Sequence, residues 1–518
     1  MSVRAAVGIG CAVVVCLSLY ALMTARPTAL PNDPCPIDKE SIERPQLPPG
    51  AREVVISLKK KEWENARGGQ EAAKPYIRQR LAGRPMQLLA DVASLPSDDE
   101  DFAWRVARDT WRGVEALVDR ENALPVDNVY WRDAQAIPAD AEVRDYTSSS
   151  NIGLQLIAIV AAHRLQLISP EAAMAKLRAT LDTLRSLETY HGFFFNFYDT
   201  TSLERTSNFV SFVDSSWLTA GLMVVRMTFP ELDAPCSELI AQADYGFFFN
   251  PDTRQISHGY YLKPGARSPF EYGMLYTEAR LGSLIAIGKG EVPPEQWFAM
   301  RRTFPATCAW QTQEPKGEPL KQVNGHQVWD GYFEWSGLRY VPSWGGSMFE
   351  ALMPVLLLDE PSYAPNGLGA NDTAHATIQR RYATEELAYP VWGISPSATP
   401  AGDGYGEYGV KVLGSRGYPA GAVTPHASAL ALSVTPAAAL ANLRALAQRY
   451  PIYGEYGFYD AVDPPSGVVA YKYLSLDQSM LFVALANYLS DGAIQRSFAA
   501  DPIMQNALPM IRHENFFE

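Results

Sequence analysis

The sequence predicts a large, mainly α-helical fold with short β insertions, and three observations carry that prediction. From Phe102 onward, segments with apolar residues at helical spacing recur, separated by short Gly/Pro/Asn breaks. Strand-like patches such as GFFFNFYD and DYGFFFNPDTRQISHGYY fall between these segments rather than alternating with them, which excludes a regular βαβ order. No strict period of the solenoid kind is present. In chain order, the spacing predicts helices over Phe102–Glu121, Ser150–Leu167, Pro170–Glu188, Ser215–Met227, Tyr272–Ile287, Pro294–Arg302, Ser347–Leu358, Asn371–Leu387, Pro436–Arg449, Asp477–Leu489 and Asp491–Ala499. Antiparallel pairs closing into an α/α toroid would bury all these apolar stripes. The pattern alone is compatible with any large all-α fold.

Ahead of this region the chain changes character. Arg4 precedes the charge-free apolar run Ala5–Ala25, and Arg26 follows. The run fits a secretory signal peptide or a membrane anchor. Either reading predicts export to the periplasm, soluble or held at the inner membrane through residues 5–25. The expected division is residues 1–26 as leader or anchor, 27–50 as a Pro-rich tether, 51–100 as an N-terminal helical extension, and 101–518 as the main domain. A net charge of -13 and a pI near 5.2 exclude nucleic acid and anionic membrane surfaces as partners of the chain as a whole, and are compatible with a neutral glycan. Outside the leader stand Cys35, Cys236 and Cys308, too few and too scattered for a disulfide framework or a metal knuckle. The seven histidines show no HExxH-like spacing, so neither a metal nor a cofactor is expected.

The most informative motifs are VPSWGGSMFEALMP (Val341–Pro354) and YPVWGISPSATPAGDGYGEYG (Tyr389–Gly409). Each sets aromatic rings, glycine turns and carboxylates side by side. That is the equipment of a carbohydrate cleft: rings stack on sugar faces, glycines let backbone approach a ligand, and acids move protons. Several segments resemble, in order, the glycoamylase-like module of bacterial β-1,2-glucan enzymes, namely the endo-β-1,2-glucanases of glycoside hydrolase family 144 and relatives and the module of cyclic β-1,2-glucan synthases. They are Asp109–Val129, Thr147–Ser169, FVDSSWLTAGL (Phe212–Leu222), EARLGSLIAIGKGEVPPEQWF (Glu278–Phe298), SWGGSMFEALMP, PVWGISPSA, YGEYGFYDAV (Tyr453–Val462) and YLSLDQSM (Tyr473–Met480). The resemblance spans roughly residues 100 to 515. It implies an (α/α)6 toroid with β-1,2-glucan bound across one mouth. Two departures stand out. Pro396 replaces the acid of the WGISES pattern of synthase-like modules, one that could serve as a nucleophile, and Ser207 and Ser211 stand where the glucanases carry an Asp-rich stretch.

Four acids are candidates for the two-carboxylate chemistry of glycoside hydrolysis. Glu271 follows SPF, at the expected start of a helix, and resembles in position the glucanase glutamate that acts on the glycosidic bond. Phe270 and Tyr272 would raise its pKa by desolvation. Glu278, seven residues on, would share its helix face, and reads as an ion-pair partner of Arg280 or Arg301. Asp214 aligns with a glucanase acid. As the N-cap of the helix that follows, it would be held ionised by dipole and amides, which suits a base. Glu350 sits one turn into its helix, in the most specific motif, as a capping-turn acid or a catalytic one. Trp217, Trp344, Trp392, Tyr405 and Tyr408 are either sugar-stacking rings or core. Asp403 and Glu407 either bind hydroxyls or turn the chain, and Asp477-Gln478 either caps a helix or touches glycan. The expected function is endo-hydrolysis of linear β-1,2-glucan with inversion. The alternatives are a retaining hydrolase or transglycosylase and a non-catalytic glycan-binding envelope protein.

Overall fold

The computed structural model describes residues 47–517. The apolar run 5–25 and Cys35 lie outside them. Among the described residues, no helix is long and apolar enough to cross a membrane. The chain is largely helical, and its helices fall into two kinds. Ser149–Arg164, Phe212–Thr228, Arg280–Gly288 and Ser475–Leu489 are buried on nearly every side, as expected of helices that are apolar all round. Asp99–Ala116, Pro170–Leu184 and Pro436–Arg449 bury one face and leave the other polar. They form an outer layer around the first kind. The Ser149 helix packs on the Phe212 and Ser475 helices, and the Phe212 helix on the Arg280 helix. The short helices Met348–Leu352 and Pro425–Leu430 pack on one another, and the latter on the Ser475 helix.

Small residues set the closest of these approaches. A Cβ on Gly153 would lie 2.3 Å from the carbonyl oxygen of Trp217, and one on Gly221 2.5 Å from that of Gly153. Neither position accepts a side chain without parting the two helices.

The β structure consists of small two- and three-stranded antiparallel sheets. Their placement matters more than their size. Strands Tyr146–Ser148, Phe209–Ser211 and Lys472–Leu474 each run straight into a buried helix. Ser148, Ser211, Ser347 and Thr424 then cap the helices that follow them through their side-chain oxygens. Strand Asn128–Tyr130 lies between Glu142–Arg144 and Lys472–Leu474, joining early and late parts of the chain.

Three expectations need correction. The helix expected over Tyr272–Ile287 begins only at Arg280. Glu271 and Tyr272 instead form a strand paired with Ser257 and Ile256, because the aromatic-rich hairpin before them offers a sheet edge that outcompetes helical propensity. The helix Leu368–Arg381 relaxes into a π turn over Tyr382–Glu386 where one continuous helix was expected. Helices Asp233–Gln242 and Pro502–Ile511 were not anticipated.

Beside the main core lies a second apolar cluster of Phe209, Tyr261, Phe270, Met274, Phe304, Cys308, Trp310, Trp344 and Tyr418. Ala51 is part of it and Leu47 packs on it, so the end of the expected tether is bound to the body of the protein. Cys308 is disulfide-bonded, whereas Cys236 is a buried free thiol.

Candidate active site

Asp214, Glu278 and Glu350 come together at the starts of three neighbouring helices, and the charges of Glu350 and Asp214 both act on Glu278. Asp214 is the third residue of the Phe212 helix. The cap is Ser211, not Asp214. Ser150, in the first turn of the adjacent helix, donates its hydroxyl to Asp214 Oδ1 at 2.7 Å. Burial raises the pKa of Asp214, contrary to the expectation that dipole and amides dominate. The hydroxyls of Ser211 and Ser150 oppose that rise.

Glu278 overturns its expected role. Arg280 does not pair with it. The guanidinium makes a two-pronged contact with Glu360, Nε–Oε1 at 2.7 Å and Nη2–Oε2 at 2.8 Å, and donates further to the carbonyls of Thr277, Glu350 and Ala351. Arg301 is close to Glu271 rather than to Glu278. Among the described residues, Glu278 therefore has no ion-pair partner. Burial, followed by the negative charge of Glu350, pushes its pKa up to about 8. A carboxyl so placed keeps its proton at neutral pH, as a general acid must.

Glu350 is saturated with donors. Its carboxylate accepts from Ser343 Oγ at 2.9 Å, the Gly345 amide at 3.0 Å, the Ser347 amide at 3.2 Å and Ser347 Oγ at 3.1 Å, completing a reciprocal capping box with Ser347. It holds the SWGGS turn in shape and supplies negative charge to Glu278.

Tyr418 was not foreseen, since nothing in RGYPAG marks it. It is buried, and its hydroxyl has no hydrogen-bond partner among the described residues. Burial, then Glu350, Glu407 and Glu278, drive its pKa well up, so its hydroxyl stays protonated beside the carboxylates. The first glycine of SWGGS serves this neighbour: a Cβ on Gly345 would lie 2.1 Å from the Tyr418 ring. Gly345→Ala is expected to displace Tyr418 and to lower activity at least tenfold with the chain still folded. Activity assays beside near-ultraviolet circular dichroism check this.

The other candidates separate. Glu271, on its strand, accepts from Asn250 Nδ2 at 2.7 Å and Thr253 Oγ1 at 2.9 Å through Oε1, and is not at a helix start. Trp217, Trp344 and Trp392 are only 2–4% exposed and belong to the apolar clusters. Trp344 packs on Trp310 with ring centroids 5.6 Å apart. None of the three offers a face for sugar stacking, because the core they complete covers both sides. Tyr405 and Tyr408 remain half-buried. Asp403 is engaged by Arg144, by Lys472 at 3.4 Å and by the Tyr130 hydroxyl at 3.3 Å, which ties down its loop. Glu407 contributes charge near Tyr418. Gln478 donates to the carbonyl of Phe458 at 2.9 Å, and Asp477 faces His426 and Asp460.

The glycoamylase family model, described as "Putative glucoamylase", matches residues 317–502, and a family of unknown function (DUF3131) matches residues 105–249. The chain is 25% identical to the cyclic β-(1,2)-glucan synthase NdvB of Rhizobium meliloti (strain 1021), over 78% of this chain and 18% of that protein. It thus spans about a fifth of the length of this relative. The fold is similar to that of an endo-β-1,2-glucanase from Chitinophaga pinensis, solved with sophorotriose and glucose (TM-score 0.63, 16% identity, 80% of this chain and 98% of that one). It is also similar to an endo-β-1,2-glucanase from Talaromyces funiculosus, solved with sophorose (TM-score 0.62, 14% identity, 83% and 92%). The resemblance seen in the motifs therefore extends through the fold, and this chain is similar to the glycoamylase-like proteins that include endo-β-1,2-glucanases.

Proposed function

We propose that this chain is an endo-acting glycoside hydrolase of β-1,2-glucan, exported through residues 5–25, with Glu278 as the general acid and Asp214 as the second carboxylate. The observation that carries the reading is Glu278: a buried carboxyl, protonated near neutral pH, unpaired, and facing two further carboxylates at neighbouring helix starts. The pairwise packing of the buried helices, with Arg280 bonded to the carbonyls of Glu350 and Ala351, supports an inner ring of six within an (α/α)6 toroid. The substrate linkage rests on the likeness to β-1,2-glucan enzymes.

In this mechanism Glu278 delivers its proton to the glycosidic oxygen as the bond breaks, and the sugar carbon takes on oxocarbenium character. The second carboxylate draws a proton from the attacking water on the opposite face. Burial raises the pKa of Asp214, and the Ser211 and Ser150 hydroxyls counter that rise toward the charged form this step requires. Pro396, standing where synthase-like modules carry an acid, removes one nucleophile and favours inversion. The test is incubation with β-1,2-, β-1,3- and β-1,4-glucans, with product size and anomer followed by proton NMR. The expected result is shortening of β-1,2-glucan alone, with the α-anomer appearing first. Early accumulation of the β-anomer would instead assign retention, and no cleavage of any of the three would overturn the hydrolase reading.

A further inference from the structure

Besides the acid group, three chain segments converge on a second polar cluster. His426 lies in the first turn of the Pro425 helix, Asp477 in the first turn of the Ser475 helix, and Asp460 in the link between strands Gly457–Phe458 and Ala461–Val462. All three side chains are at most 2% exposed, and their candidate ligand atoms lie within 4.8 Å of one another. His426 Nδ1 is 3.2 Å from Asp477 Oδ2, and among the described residues neither atom, nor Asp477 Oδ1 or Asp460 Oδ1, meets a donor or acceptor while both carboxylates are ionised; a proton shared between Asp460 and Asp477 is the alternative to a cation. One ligand atom from each of the three residues lies in this common space, and a buried polar atom left there without a partner costs on the order of 1–3 kcal/mol. The remaining atoms are occupied: Asp460 Oδ2 accepts the Ala398 amide at 2.6 Å, and His426 Nε2 is 3.4 Å from Thr424 Oγ1.

We propose that His426, Asp460 and Asp477 bind one divalent transition-metal ion of the zinc or manganese type. The ligand chemistry selects the class. One imidazole nitrogen with two carboxylates suits Zn²⁺ or Mn²⁺, whereas Ca²⁺ favours a shell of six to eight oxygens. The size fits as well. Tetrahedral Zn²⁺ with bonds of about 2.0–2.1 Å places its ligand atoms about 3.3 Å apart, close to the His426–Asp477 separation. Charge balance points the same way. The negative charge of Asp127 acts on Asp477, and Lys472, which acts on Asp460 and Asp127, also engages Asp403. A dication supplies what this buried group lacks. Because the atoms are enclosed, a glycosyl unit cannot reach them, but an ion can occupy the space. Thr424 bonded to Nε2 is the outer-shell contact that orients a ligating imidazole. Short-motif searches miss such a site because its ligands come from three separate segments.

The ion would pin the starts of two buried helices to the link between strands Gly457–Phe458 and Ala461–Val462. The full chain, without an affinity tag, is stripped with EDTA and freed of chelator. It is then titrated calorimetrically with Zn²⁺, Mn²⁺ and Ca²⁺ in separate runs. One equivalent of Zn²⁺ or Mn²⁺ is expected to bind, at least tenfold tighter than Ca²⁺, with a rise in the thermal midpoint. Asp477→Asn and His426→Gln should each weaken binding more than tenfold. Thr424→Val, which leaves all three ligands in place, should weaken it about 10–100-fold and keeps the test valid if a ligand variant fails to fold. Failure of the wild type to bind any of the three ions, or wild-type affinity in both Asp477→Asn and His426→Gln, would overturn the site. The first outcome would leave Asp460 and Asp477 sharing a proton instead.

Discussion

Glu278→Gln is expected to lower turnover on β-1,2-glucan by about 10²–10⁴-fold with little change in binding, because the amide keeps the shape but has no acidic proton to give. Glu271→Gln should stay within about tenfold of wild type, since Glu271 sits on a strand held by Asn250 and Thr253. Steady-state kinetics on the two variants separates the assignments: a fully active Glu278→Gln would remove it from the mechanism. The pH profile gives an independent readout. Catalysis needs protonated Glu278, so its limb should fall as pH rises through about 8. Stability moves the same way. The folded-state pKa of Glu278 lies above its ordinary value of 4.5, so the folded protein binds this proton more tightly than the unfolded chain does. That contribution is complete below about pH 4.5 and is lost as pH rises through about 8. Glu278→Gln, which cannot ionise, should therefore lose less of its thermal midpoint between pH 6 and pH 9 than the wild type does. An equal or greater loss in the variant would contradict the buried, unpaired carboxyl.

The largest stability effect is expected at Arg280. Its side chain is fully buried with Glu360 and close to Asp372, at 2.7 Å and 3.9 Å respectively. It also donates to the backbone of the helix that carries Glu350. Arg280→Met would leave Glu360 and Asp372 buried without their cation and release the three carbonyls of Thr277, Glu350 and Ala351 beside the acid group. Removing one partner of such a pair costs about 3–5 kcal/mol. A thermal midpoint lowered by several degrees is expected, together with loss of activity at temperatures where the variant is still folded. An unchanged midpoint would mean that Tyr276, which donates its hydroxyl to Asp372 at 2.7 Å, carries the cluster without the arginine.

Much of the helical frame was legible before the structure, and the reason is physical. Ser149–Arg164, Pro170–Leu184, Phe212–Thr228, Pro436–Arg449 and Ser475–Leu489 are long apolar stretches bounded by hydroxyl caps or prolines, so local propensity and burial agree. The segment from Glu271 to Ala279 was misread because its pairing partner, Gln255–Ser257, is supplied by tertiary contact. Helical spacing cannot report a sheet edge. The tryptophans show the same limit. A Trp in a glycine turn reads equally well as a sugar platform or as core, and only its enclosure by Trp310 and the neighbouring cluster decides for Trp344.

Sequence alone determined that this chain builds a helical body, that carboxylates cluster with glycines and rings near helix starts, and that its motifs resemble those of β-1,2-glucan enzymes. Tertiary structure alone decided what each acid does. Arg280 could have paired with Glu278 two residues away, but its guanidinium reaches Glu360 eighty positions along the chain, leaving Glu278 buried beside Glu350. The protonation of a carboxyl is set by the charges and solvent within a few ångströms of it, and those neighbours are assembled by folding.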